Sequence, residues 1–428
     1  MYCISCLLSI IGCRQEIKNN STDGIVNVDD STKIIKIGEI NENQIIKFSD
    51  IYNTINFVRL ETKDECLIGR IDKIVATRDK FVILDTSSAK MVFVFSNNGT
   101  FLNKIGSNGR GPLDYDEPND IAYDEQRDEL LVLCHNRQTI LKFKLDGTFI
   151  EKIFIEWWVN SMHIVENNYL LYLNNRIQPN GKKHPYNIII INKDGKDLKH
   201  LLPIDEETSD LYPPKSTFSD FNTEIIFSTY YFNKVYKLED NDIKIKYLLD
   251  FGKWMVPESA YKNINDKELD KIISDNDYAF NIASFETSTH IICQFLYKRF
   301  VFNCFYSKET QITKTSAVYF NDLNSFLTGH SHFFVKGDSL IGYIEPVFIS
   351  SYKDLMSSIN EVESKNGDVG HALMNYYSSL LPDSKIKDNF LNLVQSTKIS
   401  LTKKEIDFIN GINEMDNPIL IIVKLKNF

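Results

Sequence analysis

Few residues of this chain combine the type and spacing that chemistry requires. The run Gly106-Ser-Asn-Gly-Arg-Gly-Pro112 could turn successive backbone N–H groups toward an anion, with Arg110 adding positive charge. It lacks the Gly-Lys-Ser/Thr ending of a P-loop, and no helical pattern follows it, so it is not a dinucleotide fingerprint either. Two roles stay open. As a plain connection between repeats it needs backbone at positive φ and holds Arg110 and Tyr115 in structural hydrogen bonds; as a site it presents both residues to a ligand. His330-Ser331-His332 would place two imidazoles on one side of an extended segment, as metal ligands require. No carboxylate or third histidine stands at a supporting spacing, and a solvated pair at a strand start is the simpler outcome. His135 and His163 are isolated in sequence. Nucleophile-elbow, zincin and EF-hand patterns are absent. Asp85, Asp120 and Asn136 fall near strand ends, where such side chains either converge on a channel or cap turns. Trp157-Trp158 and Tyr230-Tyr231-Phe232 are aromatic clusters that pack between sheets or anchor sugars and partners.

The elements that must position these residues repeat. Met91–Phe95 followed by Asn97-Asn98-Gly99, Ile140–Leu145 followed by Asp146-Gly147, and Asn187–Ile191 followed by Lys193-Asp194-Gly195 are strand-turn units whose glycines stand 48 residues apart twice. Asn-Gly and Asp-Gly close hairpins because both central residues tolerate positive φ. Each unit has a strand upstream (Lys80–Leu84, Glu129–Leu133, Asn168–Tyr172) and one downstream (Phe101–Ile105, Phe149–Phe154, Leu198–Leu202). With a first strand such as Ile71–Ala76 or Asn119–Tyr123, each repeat holds four. One such sheet cannot cover its own two faces, so the units must stack as propeller blades. More degenerate repeats follow at Glu224–Leu249 and Thr289–Val318. A sixth pairs His332–Lys336 and Ser339–Ile344 with Ile419–Leu425, and Asn56–Leu60 closes the ring. Glu258–Asp275 reads as a short helix. Tyr352–Gly411 carries helical periodicity, with Thr402-Lys403-Lys404-Glu405 as a capping box, and forms an insertion in the last blade.

The chain's 428 residues suit two or three ordinary domains or one large closed β architecture. With 43% hydrophobic and 25% charged residues it can bury a core. Its net charge of −10 repels a phosphate backbone, which excludes nucleic acid as a partner. Ile4–Ile11 is apolar but falls short of the roughly 20 residues that a membrane helix needs, and suits the core of a signal peptide. Ile10-Ile11-Gly12-Cys13 resembles a bacterial lipobox, which makes Cys13 the lipidated first residue of the mature chain; the alternative is a buried N-terminal strand. The expected layout is therefore a signal over 1–13, a linker over 14–44 and a propeller over 45–428 with its insertion at about 352–411. Cys3 and Cys6 leave with the signal. Cys66, Cys134, Cys293 and Cys304 lie in strands as small buried hydrophobes, and whether Cys293 and Cys304 pair is open.

The combination Val58-Arg-Leu-Glu-Thr62, Leu67-Ile-Gly69, Ile71–Ile74, Ile83-Leu-Asp85, Val94-Phe95, Gly99, Ile105-Gly106, Gly109-Arg-Gly-Pro112 and Tyr115, with the tail Asp416-Asn417-Pro418-Ile419, resembles six-bladed, NHL-like β-propeller lipoproteins of anaerobic Gram-negative gut bacteria. It departs from them at Leu113-Asp114, where Gly-Glu usually precedes the tyrosine. The resemblance implies an all-β six-bladed ring of four-stranded antiparallel blades and a place in the cell envelope, on the periplasmic face or the outer-membrane surface. The expected role is a scaffold binding a protein, small molecule or glycan, with Arg110, Tyr115, Asp85 and Asp120 as contacts, no cofactor, and the membrane engaged only through lipid. The alternative is a calcium-dependent lactonase or esterase with its site in the central channel, because six-bladed rings can assemble Asp, Asn, Glu and His from several blades there.

Overall fold

The computed structural model describes residues 32–109, 111, 114–208, 211, 216–222, 224–298, 300–323, 334–349, 384–396 and 403–428. Three strands come first: β1 (Lys33–Lys36), β2 (Ile45–Lys47) and β3 (Tyr52–Arg59). Blade 1 is β4 (Lys73–Ala76), β5 (Lys80–Asp85), β6 (Met91–Ser96) and β7 (Phe101–Ile105); blade 2 is β8 (Asp120–Asp124), β9 (Glu129–Cys134), β10 (Thr139–Lys144) and β11 (Phe149–Phe154). Blade 3 is β12 (Ser161–Val165), β13 (Asn168–Tyr172), β14 (Tyr186–Ile191) and β15 (Asp197–Pro203). Blade 4 is β16 (Ser216–Phe221), β17 (Glu224–Thr229), β18 (Lys234–Glu239) and β19 (Asp242–Asp250). Helix α1 (Asp266–Asp275) precedes blade 5, formed by β20 (Ala279–Glu286), β21 (His290–Tyr297), β22 (Phe300–Ser307) and β23 (Thr313–Ser316). After β24 (Val318–Phe320), blade 6 is β25 (Phe334–Lys336), β26 (Ser339–Ile344) and β27 (Ile419–Leu425), completed by β3. Helices α2 (Ser384–Ser396) and α3 (Lys403–Asn410) lie between β26 and β27 in the chain.

Every blade is an antiparallel meander, and the ring closes where β3 pairs with β27, Phe57 opposite Ile421. The expected six-bladed propeller is therefore the observed one. Because side chains alternate across a strand, each blade buries two faces and its middle strands read as unbroken apolar runs. Leu130–Leu133, Val92–Phe95 and Ile188–Ile191 are buried throughout. The core divides into six apolar clusters, one at each blade-to-blade interface. A seventh, smaller cluster lies under α1.

The repeated glycines have two jobs. Gly99, Gly147 and Gly195 take φ of +88°, +90° and +82°. A Cβ on Gly99 would also strike Arg59 O, one on Gly195 would strike Phe154 O, and one on Gly147 would stand 3.1 Å from Lys104 O. Each turn is thus pressed against the outer strand of the preceding blade, where only glycine permits both the backbone angle and the approach.

The region expected as a linker carries structure from Thr32 onward. β1 adds a fifth, parallel strand to blade 4, Ile35 opposite Leu249. The chain then crosses the outside of blade 5, where Thr313 and Thr315 hydroxyls donate to Lys36 O and Ile37 O at 2.9 and 3.2 Å. β2 pairs in parallel with β24 before β3 enters blade 6. The expected helix at Glu258–Asp275 is shorter: Glu258–Tyr261 forms a 3-10 turn, and α1 starts after Asn265, which accepts from the Lys267 and Glu268 amides in a capping box. Ile386 and Phe390 of α2 and Ile409 of α3 are buried, Phe390 and Ile409 within the cluster between blades 5 and 6.

Candidate functional site

The inner strands β4, β8, β12, β16 and β20 follow one another around the axis and β25 returns to β4, enclosing a channel of about 1930 Å³. Its wall is mixed. Lys73, Asp120, Ser161, His163 and Asp220 of blades 1 to 4 and Lys336 of blade 6 give it polar and charged groups, and every blade adds apolar ones, among them Ile74, Ile121, Ile164, Phe218, Ile282 and Phe334.

Among the described residues, three polar side-chain pairs tie the wall together across blades. Near the end where the inner strands begin, Lys73 Nζ of blade 1 donates to Asp120 Oδ1 of blade 2 at 2.7 Å, and Asp120 Oδ2 accepts from the Met162 amide of blade 3 at 2.8 Å. One carboxylate thereby links three blades. Further along, His163 Nε2 lies 2.9 Å from Asp220 Oδ1, joining blades 3 and 4, while the His163 ring stacks on Phe218 at 5.8 Å. At the opposite mouth Lys336 of blade 6 reaches Glu125 of blade 2 at 2.9 Å, spanning the end of blade 1. Asp220 is the open member of this set, its side chain 71% exposed to the water of the channel. Enclosure within the ring raises its pKa, but His163, Lys336 and Lys73 outweigh that and hold the carboxyl below its ordinary value. The wall thus offers both signs of charge to one ligand, with apolar side chains between them.

Of the three expected contacts among the described residues, Asp85, Tyr115 and Asp120, only Asp120 faces the channel. Arg110 lies outside the described residues, as do Cys13 and the His330–His332 pair. Tyr115 is fully buried: its hydroxyl donates to Ile105 O at 2.5 Å and accepts from the Val92 amide at 3.2 Å, so it fastens the segment between blades 1 and 2 onto blade 1 and presents nothing to a ligand. Asp85 is buried too. Its carboxylate accepts the amides of Gly69, Arg70, Ser87 and Ser88 at 2.8 to 3.2 Å, which consumes its oxygens in shaping two loops. In the glycine loop, Gly106 has positive φ (+65°), whereas Gly109 and Gly111 do not; both instead lie against the Asp114 side chain. Asn136 donates to Glu117 at 3.3 Å on the exposed surface. The aromatic runs are largely packed. Tyr231 is buried with its hydroxyl on Asp270 of α1, Phe232 stacks on Tyr261, Trp158 lies against His135, and Trp157 donates to Asp197.

Isolated in sequence, His163 and Asp220 are brought together by the ring, and with Lys73 and Lys336 they form the part of the site that sequence reasoning missed. A signal existed for one member: Lys73 opens the inner strand of its repeat just as the expected Asp120 does, so aligning first strands rather than turns would have placed the two side by side. Among the described residues, no three or more His, Cys, Asp or Glu side chains group closely enough to hold a metal ion. Of the channel carboxylates described above, Asp120 and Glu125 each have a lysine partner, and Asp220 has the His163 imidazole.

Residues 32–370 match the family model described as a domain of unknown function, DUF4934. The chain belongs to the DUF4934 family. A search of curated proteins returns no match. Among solved structures, this DUF4934 chain is similar to a Bacteroides fragilis protein classed as exported, at 15% identity and a TM-score of 0.66, covering 92% of this chain and 100% of that one. It is more distantly similar to a DUF4221 family member from Bacteroides vulgatus, at 10% identity and a TM-score of 0.46 over 69% of this chain and 94% of that one. The first likeness agrees with the propeller fold of the DUF4934 chain.

Proposed function

We propose that this protein is a binding scaffold of the cell envelope, anchored through lipid on Cys13, whose ligand-recognition surface is the central channel. The observation that carries the reading is the wall around Asp220. Its exposed carboxylate sits near Lys73, Lys336 and His163, with apolar side chains of all six blades interspersed along the wall, in a space larger than the roughly 300–1,000 Å³ of ordinary ligand pockets. That arrangement suits a small polar molecule that also carries apolar groups, held by charge and by contact together. The envelope placement draws on the apolar run before Cys13 and on the similarity to an exported Bacteroides fragilis protein.

Two experiments test the two halves. Thermal-shift measurements with amino acids, short peptides, monosaccharides and disaccharides should find a class that raises the melting temperature of the native protein but not of Asp220→Asn. Shifts that Asp220→Asn retains in full, or none across the panel, would remove the channel from the proposal. Cys13→Ser should move the protein from the membrane to the soluble fraction; a variant still pelleting with membranes would end the lipid-anchor half.

A further inference from the structure

Blade 5 holds two thiols that no channel contact involves. β21 and β22 form a hairpin in which Cys293 is directly opposite Cys304. Residues opposite one another on antiparallel strands project to the same face, and here both thiols are fully buried in the apolar cluster between blades 4 and 5. Directly opposite Cα atoms stand about 4.5–5.5 Å apart, inside the roughly 4.4–6.8 Å that a disulfide spans. The position in the ladder adds a second point. Lys308 N–H donates to Thr289 O at 2.9 Å, and hydrogen-bonded pairs recur at every second residue, so 293 and 304 form a hydrogen-bonded pair. Such pairs hold their Cβ atoms farther apart than the roughly 3.8 Å a relaxed disulfide prefers, so bridging them must draw the strands together.

We propose that Cys293 and Cys304 form a disulfide rung across blade 5 in an oxidising milieu, strained enough to be reopened by thiols. In the step, two S–H bonds break, one S–S bond forms, and two protons and two electrons pass to an acceptor disulfide, which leaves as two thiols. The thiols are buried once the blades have packed, so the bond forms while the hairpin is still exposed during folding. That the rung forms in the cell rests on the envelope reading, because such bonds persist outside the cytosol.

The sequence supplies a clean assay. Trypsin cuts after Lys298 and Arg299, separating Ile272–Lys298, which holds Cys293, from Phe300–Lys308, which holds Cys304. The full chain is refolded in a buffer of reduced and oxidised glutathione, then unfolded in denaturant with an alkylating agent present so that every free thiol is capped, and digested without reductant. The two peptides should then run as one species, lighter by two hydrogens than their sum, and separate after dithiothreitol. Cys66 and Cys134 should be alkylated in the same sample, and Cys293 should become alkylated in Cys304→Ser. Recovery of both peptides unlinked and alkylated overturns the proposal. So does a link that persists when the protein is unfolded and refolded in millimolar reduced glutathione, where access no longer protects it, since the rung would then be unstrained. The same digest of protein from envelope fractions separates the two claims: a rung that forms on refolding but is missing there counts against the envelope reading and not against the chemistry of the pair.

Discussion

Blades 1 to 3 and blades 4 to 6 solve one packing problem in two ways. In the first three, a single glycine at the turn between the third and fourth strands lets the hairpin press against the outer strand of the blade before it. In blades 4 and 5 the left-handed positions of that turn are taken by Asp240 and Asn241 (φ +52° and +58°) and by Gln311 (φ +60°). These blades are instead reinforced from outside, by β1 along blade 4, by the Thr313 and Thr315 bonds across blade 5, and by β2 on β24. The difference teaches where the information for a ring can reside. A local residue fixes the early interfaces, and pairing between distant segments fixes the later ones.

The sharpest way to break the comparison is to give an early turn a side chain. Gly195→Val forces a β-branched residue to positive φ and drives its Cβ into Phe154 O, which cannot retreat without breaking the β11 ladder. The backbone conformation costs about 1–3 kcal/mol and the overpacking about as much again, so urea denaturation should show a loss near 4 kcal/mol or no folded protein at all. Gly337→Val is the control. Gly337 lies in blade 6 at φ +56° with open space around it, and should lose only the backbone part. Equal losses at the two positions would mean that backbone angle alone, and not interlock, selects glycine in the early blades.

Removing a strap contact tests the other half. Ile35 is fully buried between β1 and blades 4 and 5, although its neighbour Ile34 is 57% exposed. Ile35→Ala should cost about 2–4 kcal/mol, as is usual for an emptied aliphatic site. Hydrogen exchange should rise first in β19, whose outer edge β1 covers. If exchange rose evenly around all six blades, the strap would be a general contributor and not the local substitute for a glycine turn.

The same contrast explains what was legible in the sequence. Asn98-Gly99, Asp146-Gly147 and Asp194-Gly195 announce their turns because few residues fit there, so the repeat and the six-bladed ring could be read directly. The strap could not. Lys33–Lys36 is an unremarkable short strand whose partner lies more than 200 positions away, and nothing local marks it as the edge of blade 4. The channel was half visible. Asp120 opens a strand in a recognisable repeat, but His163 and Asp220 meet only because the ring bends blade 3 onto blade 4. Tyr115 and Asp85 were over-read for a related reason: an aspartate by a loop looks available until four backbone amides are seen to occupy it.

The smallest effect concerns one position in every blade, the start of the second strand. Blades 1 to 3 place Lys80, Glu129 and Asn168 there, all partly exposed, whereas blade 5 places His290, which is fully buried. Its Nδ1 lies 2.8 Å from the Thr289 hydroxyl, its Nε2 has no partner, and its ring packs on Phe428. Burial lowers its pKa first, nearby Lys308 and Lys314 add to the effect, and Asp338 opposes it only in part, so the imidazole is pushed down to about 4. In the unfolded chain it titrates near its ordinary value of about 6.5. Between those values the unfolded state holds a proton that the native state refuses, so stability rises with pH, is complete above about 6.5, and is lost as pH falls toward 4. The unfolding free energy of the native protein, from urea denaturation, should therefore decline over that window by roughly 2 kcal/mol more than that of His290→Gln. Parallel curves would show that His290 is hydrated, and that the second strand of blade 5 begins as wet as those of blades 1 to 3.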